Sequence, residues 1–333
     1  MASFTRRAFL SLALRAGAAA ALGAALGCRR GMQPLPVVTI QGAPSPPSLA
    51  LLRVAQRGVP RELAGDARFQ VWSTVDEMRA RITSGQAHFS GLPVNVAATL
   101  YNRGVEVQLL NVYIWGILYL VSPEPSINSL ADLRGETVLI PFRGDLPDIL
   151  TQYLLQRAGL NLAEDLKPSY LSAAPEAAQL LAAGRARYAV LSEPSATLAI
   201  QKAQQNGITL YRSLDYAQAW AAATRRRARI PMAGVAAHPD VARTRPELLD
   251  WFQSAHRDAV PWVAAHADEA TQAGAEAIHA IPPAVMRDSL THIQSTFEEA
   301  GTVRAEIEFF LSEMHALSPE LIGGRLPPDG FYG

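Results

Sequence analysis

Short apolar runs and helical stripes alternate along residues 38–211. The run at 138–140 is typical of a buried strand, and from Leu146 onward apolar residues recur every three or four positions, which is typical of a helix. The residues between them, 141–145, break both patterns. Residues 137–160 therefore predict a strand, a loop and a helix, and in open α/β sheets such a loop is where ligands bind.

The same unit occurs earlier in the chain. The stretch that begins at Val38 matches the one at Val138, and Pro47 corresponds to Pro147 with the same spacing of 100 residues (138 − 38 and 147 − 47). Further along, both halves repeat a helix, a glycine, a strand and a second helix that begins near a proline. Repeated supersecondary units of this kind predict two similar α/β lobes.

Helix and strand signals give each lobe its elements. Strands are predicted at 37–40, 69–72, 87–90, 105–113, 138–140, 186–191 and 208–211, and helices at 48–56, 75–84, 94–103, 146–158, 176–183 and 195–205. A tight turn is predicted at 91–93. The region 246–317 is predicted to be helical throughout, and the tail 323–333 irregular.

Two longer apolar runs, 113–121 and 229–237, are interpreted as the connections between the lobes. The predicted fold is therefore α/β, with two similar lobes joined by two crossing strands and with C-terminal helices that pack mainly on the first lobe. Residues 37–118 and 234–333 are assigned to lobe 1, and residues 119–233 to lobe 2.

The first 27 residues have the pattern of an export signal. Arg6-Arg7 precede a run of Ala, Leu and Gly that is interpreted as a signal peptide rather than a membrane span. The start resembles a twin-arginine signal, and the residues before Cys28 resemble a bacterial lipoprotein cleavage site. We predict a signal peptide over 1–27, a lipid anchor to the membrane at Cys28 and a flexible tether over 28–36.

Composition narrows the classes of function. Hydrophobic residues make up 49% of the 333 residues, enough for a sizeable core, and 30 basic side chains balance 30 acidic ones. This balance gives no electrostatic case for a nucleic-acid partner. The basic run Arg225-Arg226-Arg227, with Arg229, is interpreted as a solvated connector. The single cysteine permits no disulfide within the chain, and no Cys/His spacing predicts a metal or another cofactor.

Three segments carry a family resemblance: residues 129–135 (SLADLRG), Glu193-Pro194 after a strand, and residues 321–327 (LIGGRLP). Together they resemble bacterial extracytoplasmic solute-binding proteins of ABC transporters, in the group that serves nitrate, sulfonate, taurine, bicarbonate and thiamine precursors. The resemblance implies a type II periplasmic-binding fold whose two lobes close on a ligand. It also implies an ABC permease and its ATPase as partners, and a chain that acts as a monomer.

The resemblance places four loops opposite one another across a cleft: 41–47, 91–95, 142–147 and 192–195. Each precedes a helix N-terminus, so free backbone N–H groups are expected to point inward and to favour an anion or a hydrogen-bond acceptor. The candidate ligand-binding residues are Gln41, Ser45, Trp72, Asn95, Tyr113, Trp115, Phe142, Arg143, Asp145, Ser192 and Glu193.

Several candidates have a structural alternative. Arg143 can hold a carboxylate, sulfonate or phosphate, or it can pair with Asp145. Asp145, Glu193 and the candidate serines can each cap a helix instead of binding a ligand. The aromatic candidates can stack on a flat ligand or pack in the core. Because Asp145 places a negative charge at a helix start, we expect a small organic ligand, such as a heteroaromatic one, rather than a bare oxyanion.

Two other functions are associated with the same fold. The first is an enzyme of the thiamine-pyrimidine or menaquinone-pathway type. The thiamine type calls for a cysteine-rich motif, whereas the chain has only Cys28, and no GxSxG, P-loop or HExxH motif occurs. The second is a sensor that reports its ligand to a membrane receptor, which needs the same sequence features as transport. We interpret the chain as a transport protein and not an enzyme.

Overall fold

Strands and helices alternate through most of the structure, a computed structural model that describes residues 33–333. The strands are β1 (Val38–Gly42), β2 (Ala67–Val71), β3 (Phe89–Pro93), β4 (Gln108–Gly116), β5 (Leu118–Ser122), β6 (Thr137–Pro141), β7 (Lys167–Leu171), β8 (Tyr188–Ser192), β9 (Tyr211–Asp215), β10 (Ala233–Ala237) and β11 (Gln294–Glu299). The predicted signal peptide and Cys28 lie outside the described residues.

The α-helices follow the strands in the order that the repeated pattern predicts. They are α1 (Ser48–Gln56), α2 (Val75–Thr83), α3 (Val94–Asn102), α4 (Leu146–Arg157), α5 (Leu162–Asp165), α6 (Ala174–Ala182), α7 (Ser195–Gln205), α8 (Tyr216–Thr224), α9 (Pro239–Thr244), α10 (Pro246–Ala265), α11 (Ala267–Ala277), α12 (Pro283–Leu290) and α13 (Arg304–Leu317). Short 3-10 helices lie at Leu130–Leu133, Pro319–Ile322 and Asp329–Phe331. Within residues 33–333, no helix is both long and apolar enough to cross a membrane.

The strands form two sheets with matching order. One sheet runs β11-β4-β10-β3-β1-β2, and the other runs β7-β6-β8-β5-β9. In the first, β1 is parallel to β2 and β3 while β10 is antiparallel to β3, and in the second, β6 is parallel to β7 and β8 while β5 is antiparallel to β8. The predicted α/β class with two similar halves is confirmed.

Two neighbouring segments connect the sheets. Only Ile117 separates β4 from β5, and the chain returns from β9 to β10 through α8 and residues 225–232. The backbone N–H of Ile230 donates to the carbonyl of Trp115 (2.7 Å), and that of Met232 donates to the carbonyl of Ile114 (3.0 Å). The two connections therefore run side by side, in the apolar stretches that the sequence indicated.

One large apolar core spans the elements around both sheets. Phe252 of α10 stacks on Phe89 of β3 with ring centroids 4.0 Å apart. Trp220 of α8 packs on Tyr153 of α4 at 4.9 Å and on Phe310 of α13 at 6.1 Å. The C-terminal helix α13 thus covers apolar surface of both halves, and burial of that surface is the main stabilising term. The prediction that the C-terminal helices pack mainly on the first lobe is therefore incomplete for α13.

Several sequence predictions are corrected. Residues 91–93 continue β3 instead of forming a turn, because they pair with β10, a strand distant in sequence. Residues 294–299 form β11, not helix, and add an edge strand beside β4. The strand predicted at 208–211 begins only at Tyr211, and β7 and α8 were not predicted at all. The errors at 91–93 and 294–299 arise where pairing with a remote strand outweighs the local pattern.

Both ends of the described chain are also more ordered than predicted. The tether was expected to reach residue 36, but the Leu35 N–H donates to the Leu63 carbonyl (2.9 Å) and the Leu35 carbonyl accepts from Gly65 (2.8 Å). In the tail, Phe331 is fully buried. Gly234 illustrates how closely the strands approach, since a Cβ there would lie 2.0 Å from the Asn111 carbonyl oxygen of β4.

His256 is buried in the core among aromatic rings. Its ring lies against Tyr113 (4.7 Å), Phe252 (5.5 Å) and Phe297 (5.7 Å). Neither ring nitrogen has a hydrogen-bond partner among the described residues. Burial away from water disfavours the charged form and lowers the pKa of His256 to about 3.

Replacing His256 with phenylalanine should raise the free energy of unfolding at pH 7 by about 1–2 kcal/mol, because two unpartnered buried nitrogens are removed. It should also reduce acid sensitivity. Below about pH 6.5 the unfolded wild-type chain binds a proton at His256, whereas the folded chain does not until about pH 3. Wild-type stability therefore falls as the pH drops through that window.

Urea unfolding at several pH values measures both effects. His279 is exposed, so His279→Phe is a suitable control and should keep the wild-type slope of stability against pH. A wild-type slope in His256→Phe would contradict the assignment of the acid sensitivity to this buried imidazole.

Candidate functional site

The C-terminal ends of the parallel strands meet at the two connections. The N–H of Val94, which follows β3, donates to the carbonyl of Met232 on the returning connection (3.1 Å). The N–H of Glu193, which follows β8, donates to the carbonyl of Ile117 on the other connection (3.0 Å). Loops at the ends of strands from both sheets therefore converge on one region, where open α/β sheets bind ligands.

One basic side chain of the first half, Arg79, acts electrostatically on a carboxyl group of the second half, Asp145. Arg79 of α2 belongs to the first half, and Asp145 precedes α4 in the second. Neighbouring protein displaces water around Asp145 and raises the pKa of its carboxyl, an effect that the charge of Asp148 reinforces and the charge of Arg79 opposes. Arg79 pairs with Asp76 on its own helix (3.4 Å), so it influences Asp145 through its charge and not through an ion pair.

Each of three neighbouring strands of the first sheet ends beside a buried polar atom without a partner. These atoms are Gln41 Oε1 in β1, Trp72 Nε1 after β2 and Asn95 Oδ1 after β3. The amide nitrogen of Gln41 is held by Ser90 Oγ (2.9 Å) and the Met78 carbonyl (3.2 Å), which fixes the orientation of the free oxygen. Buried polar atoms normally have hydrogen-bond partners. Two acceptors and one donor are thus available here, all uncharged.

The helix α1 does not offer the free N–H groups that were predicted. Its first three, from Ser48, Leu49 and Ala50, donate to the carbonyls of residues 45–47 at 3.0–3.3 Å. The preceding loop contains prolines, which lack an N–H, and the Ser48 hydroxyl donates to the Ala43 carbonyl (2.7 Å). The Ser45 carbonyl therefore accepts a hydrogen bond within the turn. Because these three N–H groups already have acceptors, the start of α1 does not offer them to an anion.

The loop after β6 presents an exposed aromatic ring. Phe142 is 42% exposed and has a left-handed backbone, with φ +59°. Its N–H donates to the Leu171 carbonyl (2.9 Å), and its carbonyl accepts from the Asp145 N–H (3.0 Å), so hydrogen bonds at both ends fix the turn. A bulky residue in this backbone region is unusual and marks strain, which is common at ligand sites.

Arg143 and Asp145 do not pair with each other within the described chain, contrary to one alternative. The Arg143 guanidinium lies over the Tyr170 ring at 4.9 Å. Asp145 does not cap α4 through its side chain. Instead, the buried Asp148 accepts from the Gly144 N–H (2.8 Å) and the Tyr170 hydroxyl (3.1 Å). Asp148 was missed, although its position three residues after Asp145 is where side chains reach back to a helix start.

Glu193 is fully occupied by neighbouring groups. One oxygen accepts from the Thr197 N–H (3.1 Å) and hydroxyl (2.7 Å), so Glu193 caps α7. The other accepts from Arg212 Nε (2.7 Å) and forms a salt bridge with Nη2 (2.6 Å), which donates to the Thr197 hydroxyl oxygen (2.7 Å). The structure therefore shows the capping alternative and leaves the carboxylate no free bond for a ligand. Ser192, the last residue of β8, is half-buried beside it.

Tyr113 and Trp115 lie in the core of the protein. The indole N–H of Trp115 donates to the Thr296 carbonyl (2.8 Å), and the Arg229 guanidinium covers its ring at 4.1 Å. Tyr113 packs edge-on against His256, and burial raises the pKa of its hydroxyl. Both were predicted as ligand contacts, but both side chains are buried, in a strand that is buried on both faces. Arg79 and Tyr170, in contrast, were missed because no local pattern marks their position.

The protein has two sheets of matching strand order, which are joined by adjacent connections and carry polar groups where their strand ends converge. This arrangement defines a two-lobed type II periplasmic-binding fold. A family model described as "ABC transporter, phosphonate, periplasmic substrate-binding protein" matches residues 59–272. The chain belongs to this family of ABC-transporter substrate-binding proteins. The membership confirms the predicted transport class, although phosphonate was not among the ligands of the predicted group.

Solved structures of transport proteins have the same fold. An ABC transporter structure from Parabacteroides distasonis has a TM-score of 0.73 at 24% identity and covers 90% of this chain and 99% of its own. The aliphatic sulphonate-binding protein SsuA of Escherichia coli gives 0.68 at 14% identity, covering 90% and 92%. The nitrate-binding protein NrtA of Synechocystis PCC 6803 gives 0.62 at 12% identity, covering 87% and 85%. No curated protein matches the chain.

Proposed function

We propose that this protein is an exported lipoprotein that captures a small organic ligand between two lobes and delivers it to an ABC permease driven by its ATPase. The lobes are 37–118 with 234–333, and 119–233. The observation that carries the proposal is the row of unpartnered buried atoms on Gln41, Trp72 and Asn95 at the ends of adjacent strands. A ligand that bound there would satisfy them, and contacts to both lobes would favour closure about the connections.

The ligand class follows from the two walls of this region. The first lobe offers neutral donors and acceptors, and the second offers the exposed Phe142 ring and the Arg143 guanidinium. An organic phosphonate or sulfonate fits both, with its acid group at Arg143 and its organic part at Phe142. The family and the structural relatives that bind oxoacids support this choice. A bare oxyanion fits less well, because α1 keeps no free N–H groups and Asp145 adds negative charge.

A thermal-shift screen of phosphonates, sulfonates, nitrate, pyrimidines, flavins and small carboxylates tests this function. At 100 times its dissociation constant, the true ligand should stabilise the protein by about 2.7 kcal/mol. Asn95→Leu, which removes an unpartnered oxygen while keeping the size, should fold normally and weaken binding about tenfold or more, since a hydrogen bond worth about 1.4 kcal/mol is lost.

The matched control is Asn128→Leu at an exposed position, which should bind like the wild type. Stabilisation by none of the compound classes, or wild-type affinity in Asn95→Leu, would contradict the proposed site.

The membrane anchor is a separate part of the proposal, supported by the sequence around Cys28. Cell fractionation should find the wild-type protein in the membrane pellet and Cys28→Ser in the soluble periplasmic fraction. Equal membrane association of the two proteins would remove the anchor from the proposal without affecting ligand capture.

A further inference from the structure

A cavity of about 470 Å³ lies where the returning connection meets the C-terminal helix. Four arginines of the connection line it, Arg225, Arg226, Arg227 and Arg229, together with Glu306 and Phe309 of α13. We call it the connector cavity. None of its lining residues belongs to the loops that converge at the strand ends or to the ligand site described above.

Positive charge exceeds negative charge in the connector cavity. Arg229 pairs with Glu306 (Nε to Oε2, 2.7 Å) and with Glu298 (3.3 Å). Hydrogen bonds from Arg229 lower the pKa of Glu306, and the charges of Arg227 and Arg226 lower it further. Glu306 is therefore ionised and already engaged, yet it is the single carboxylate among the lining residues. Glu298 and Glu306 together offset two of the four guanidinium charges, so two positive charges remain unbalanced (4 − 2).

Arg225, Arg226 and Arg227 are exposed, as predicted for a solvated connector, but two of the four arginines are held against other side chains. The Arg226 guanidinium lies 3.7 Å from the centre of the Phe309 ring, a cation–π geometry. The Arg229 side chain is only 17% exposed. Neither Arg225 nor Arg226 forms an ion pair with a carboxylate of the described residues. Their donors therefore stay available at the exposed mouth of the cavity, although like charges in one cavity repel each other.

The backbone conformation of Arg225 also supports a binding site at this cavity. Arg225 ends α8 with φ +58°, in the left-handed region that glycine usually occupies at a helix end. A side chain there strains the backbone. Four guanidinium groups that converge on a cavity of this size match the oxygens of a multiply charged phosphate group, which arginine binds in bidentate fashion.

We propose that the connector cavity binds a phosphate-bearing anion that joins the returning connection to α13. The shared chemistry is a phosphate group with at least one negative charge, from a free oligophosphate or from an anionic lipid headgroup. Because the connection is one of two segments between the sheets, an anion bound there would stiffen the hinge between them. The site does not depend on which ligand the cleft takes.

Calorimetric titration of the full chain with pyrophosphate, and separately with short-chain phosphatidylglycerol or phosphatidylcholine, tests this site. Saturable binding of pyrophosphate identifies a free-anion site, whereas binding of phosphatidylglycerol alone identifies a lipid site; both support the proposal. The double variant Arg225→Gly with Arg226→Gln should fold, since glycine suits the left-handed position, and should weaken the binding about tenfold or more, equivalent to 1.4 kcal/mol.

Two controls separate this site from others. Arg61→Gln removes an exposed arginine elsewhere and should leave the dissociation constant unchanged. Phe142→Gly alters the cleft and should likewise leave pyrophosphate binding unchanged. Absence of saturable binding by pyrophosphate and by phosphatidylglycerol, or equal affinity in the double variant and the wild type, would overturn the proposal and leave the proposed transport function intact.

Discussion

Replacing Glu193 with alanine should lower the free energy of unfolding by about 3–5 kcal/mol, because it leaves the charge of Arg212 buried without a partner. The Glu193 side chain is fully buried, and that of Arg212 is only 17% exposed. The same substitution removes the cap from Thr197 at the start of α7, and loss of a cap costs about 1 kcal/mol. Denaturant unfolding monitored by far-UV circular dichroism measures the change.

A double-mutant cycle separates the two contributions. In Arg212→Met the buried charge is absent, so a further Glu193→Ala change should cost much less than it does beside Arg212. Asp66→Ala, which removes the exposed partner of Arg68, should change stability little, because water and salt screen that pair. If Glu193→Ala proves as mild as Asp66→Ala, the buried pair is not the structural link between β9 and α7 that we describe.

The sequence predicted the fold well because the fold rests on repetition. The match between the stretches at Val38 and Val138 predicted two equivalent α/β units, and five strands of the first sheet correspond in order to the five of the second, with β11 as an additional edge strand. Periodicity found α1 and α7 with the bounds that the structure gives. It failed for β11, which contains a single apolar residue, Phe297, and therefore has no periodicity that distinguishes an edge strand from a helix without the neighbouring β4.

The candidate site was predictable at the level of loops but not of side chains. The loop 142–145 was located, because it interrupts both periodic patterns, but β1 and β3 were predicted to end at residues 40 and 90 instead of at Gly42 and Pro93. Whether a side chain faces the cleft depends on pairing that no local signal gives. Trp115 turns into the core because the Thr296 carbonyl of β11 accepts its N–H. Arg79 approaches Asp145 only because two segments far apart in sequence are brought together.

Substitution of Phe142 by glycine should change stability and affinity in opposite directions. Glycine adopts φ +59° without strain, so Phe142→Gly should be more stable than Phe142→Ala by about 1 kcal/mol. Both variants lack the exposed ring and should bind the cleft ligand about 10- to 100-fold more weakly, since burying a phenylalanine side chain contributes about 1.5–3 kcal/mol. Thermal unfolding and calorimetric titration with a ligand from the screen measure the two effects.

The comparison of the two variants isolates the strain from the ring. Phe142→Ala keeps the left-handed backbone and deletes the ring, so it shows the loss of affinity alone. If Phe142→Gly is no more stable than Phe142→Ala, the turn between Leu171 and Asp145 carries no strain. If both bind like the wild type, Phe142 is not a ligand contact. The expected result for Phe142→Gly instead combines two effects: lower affinity for the ligand together with higher stability. That result would mean that the strained backbone at Phe142 lowers the stability of the protein while it holds an aromatic ring toward the ligand, as expected at a binding site.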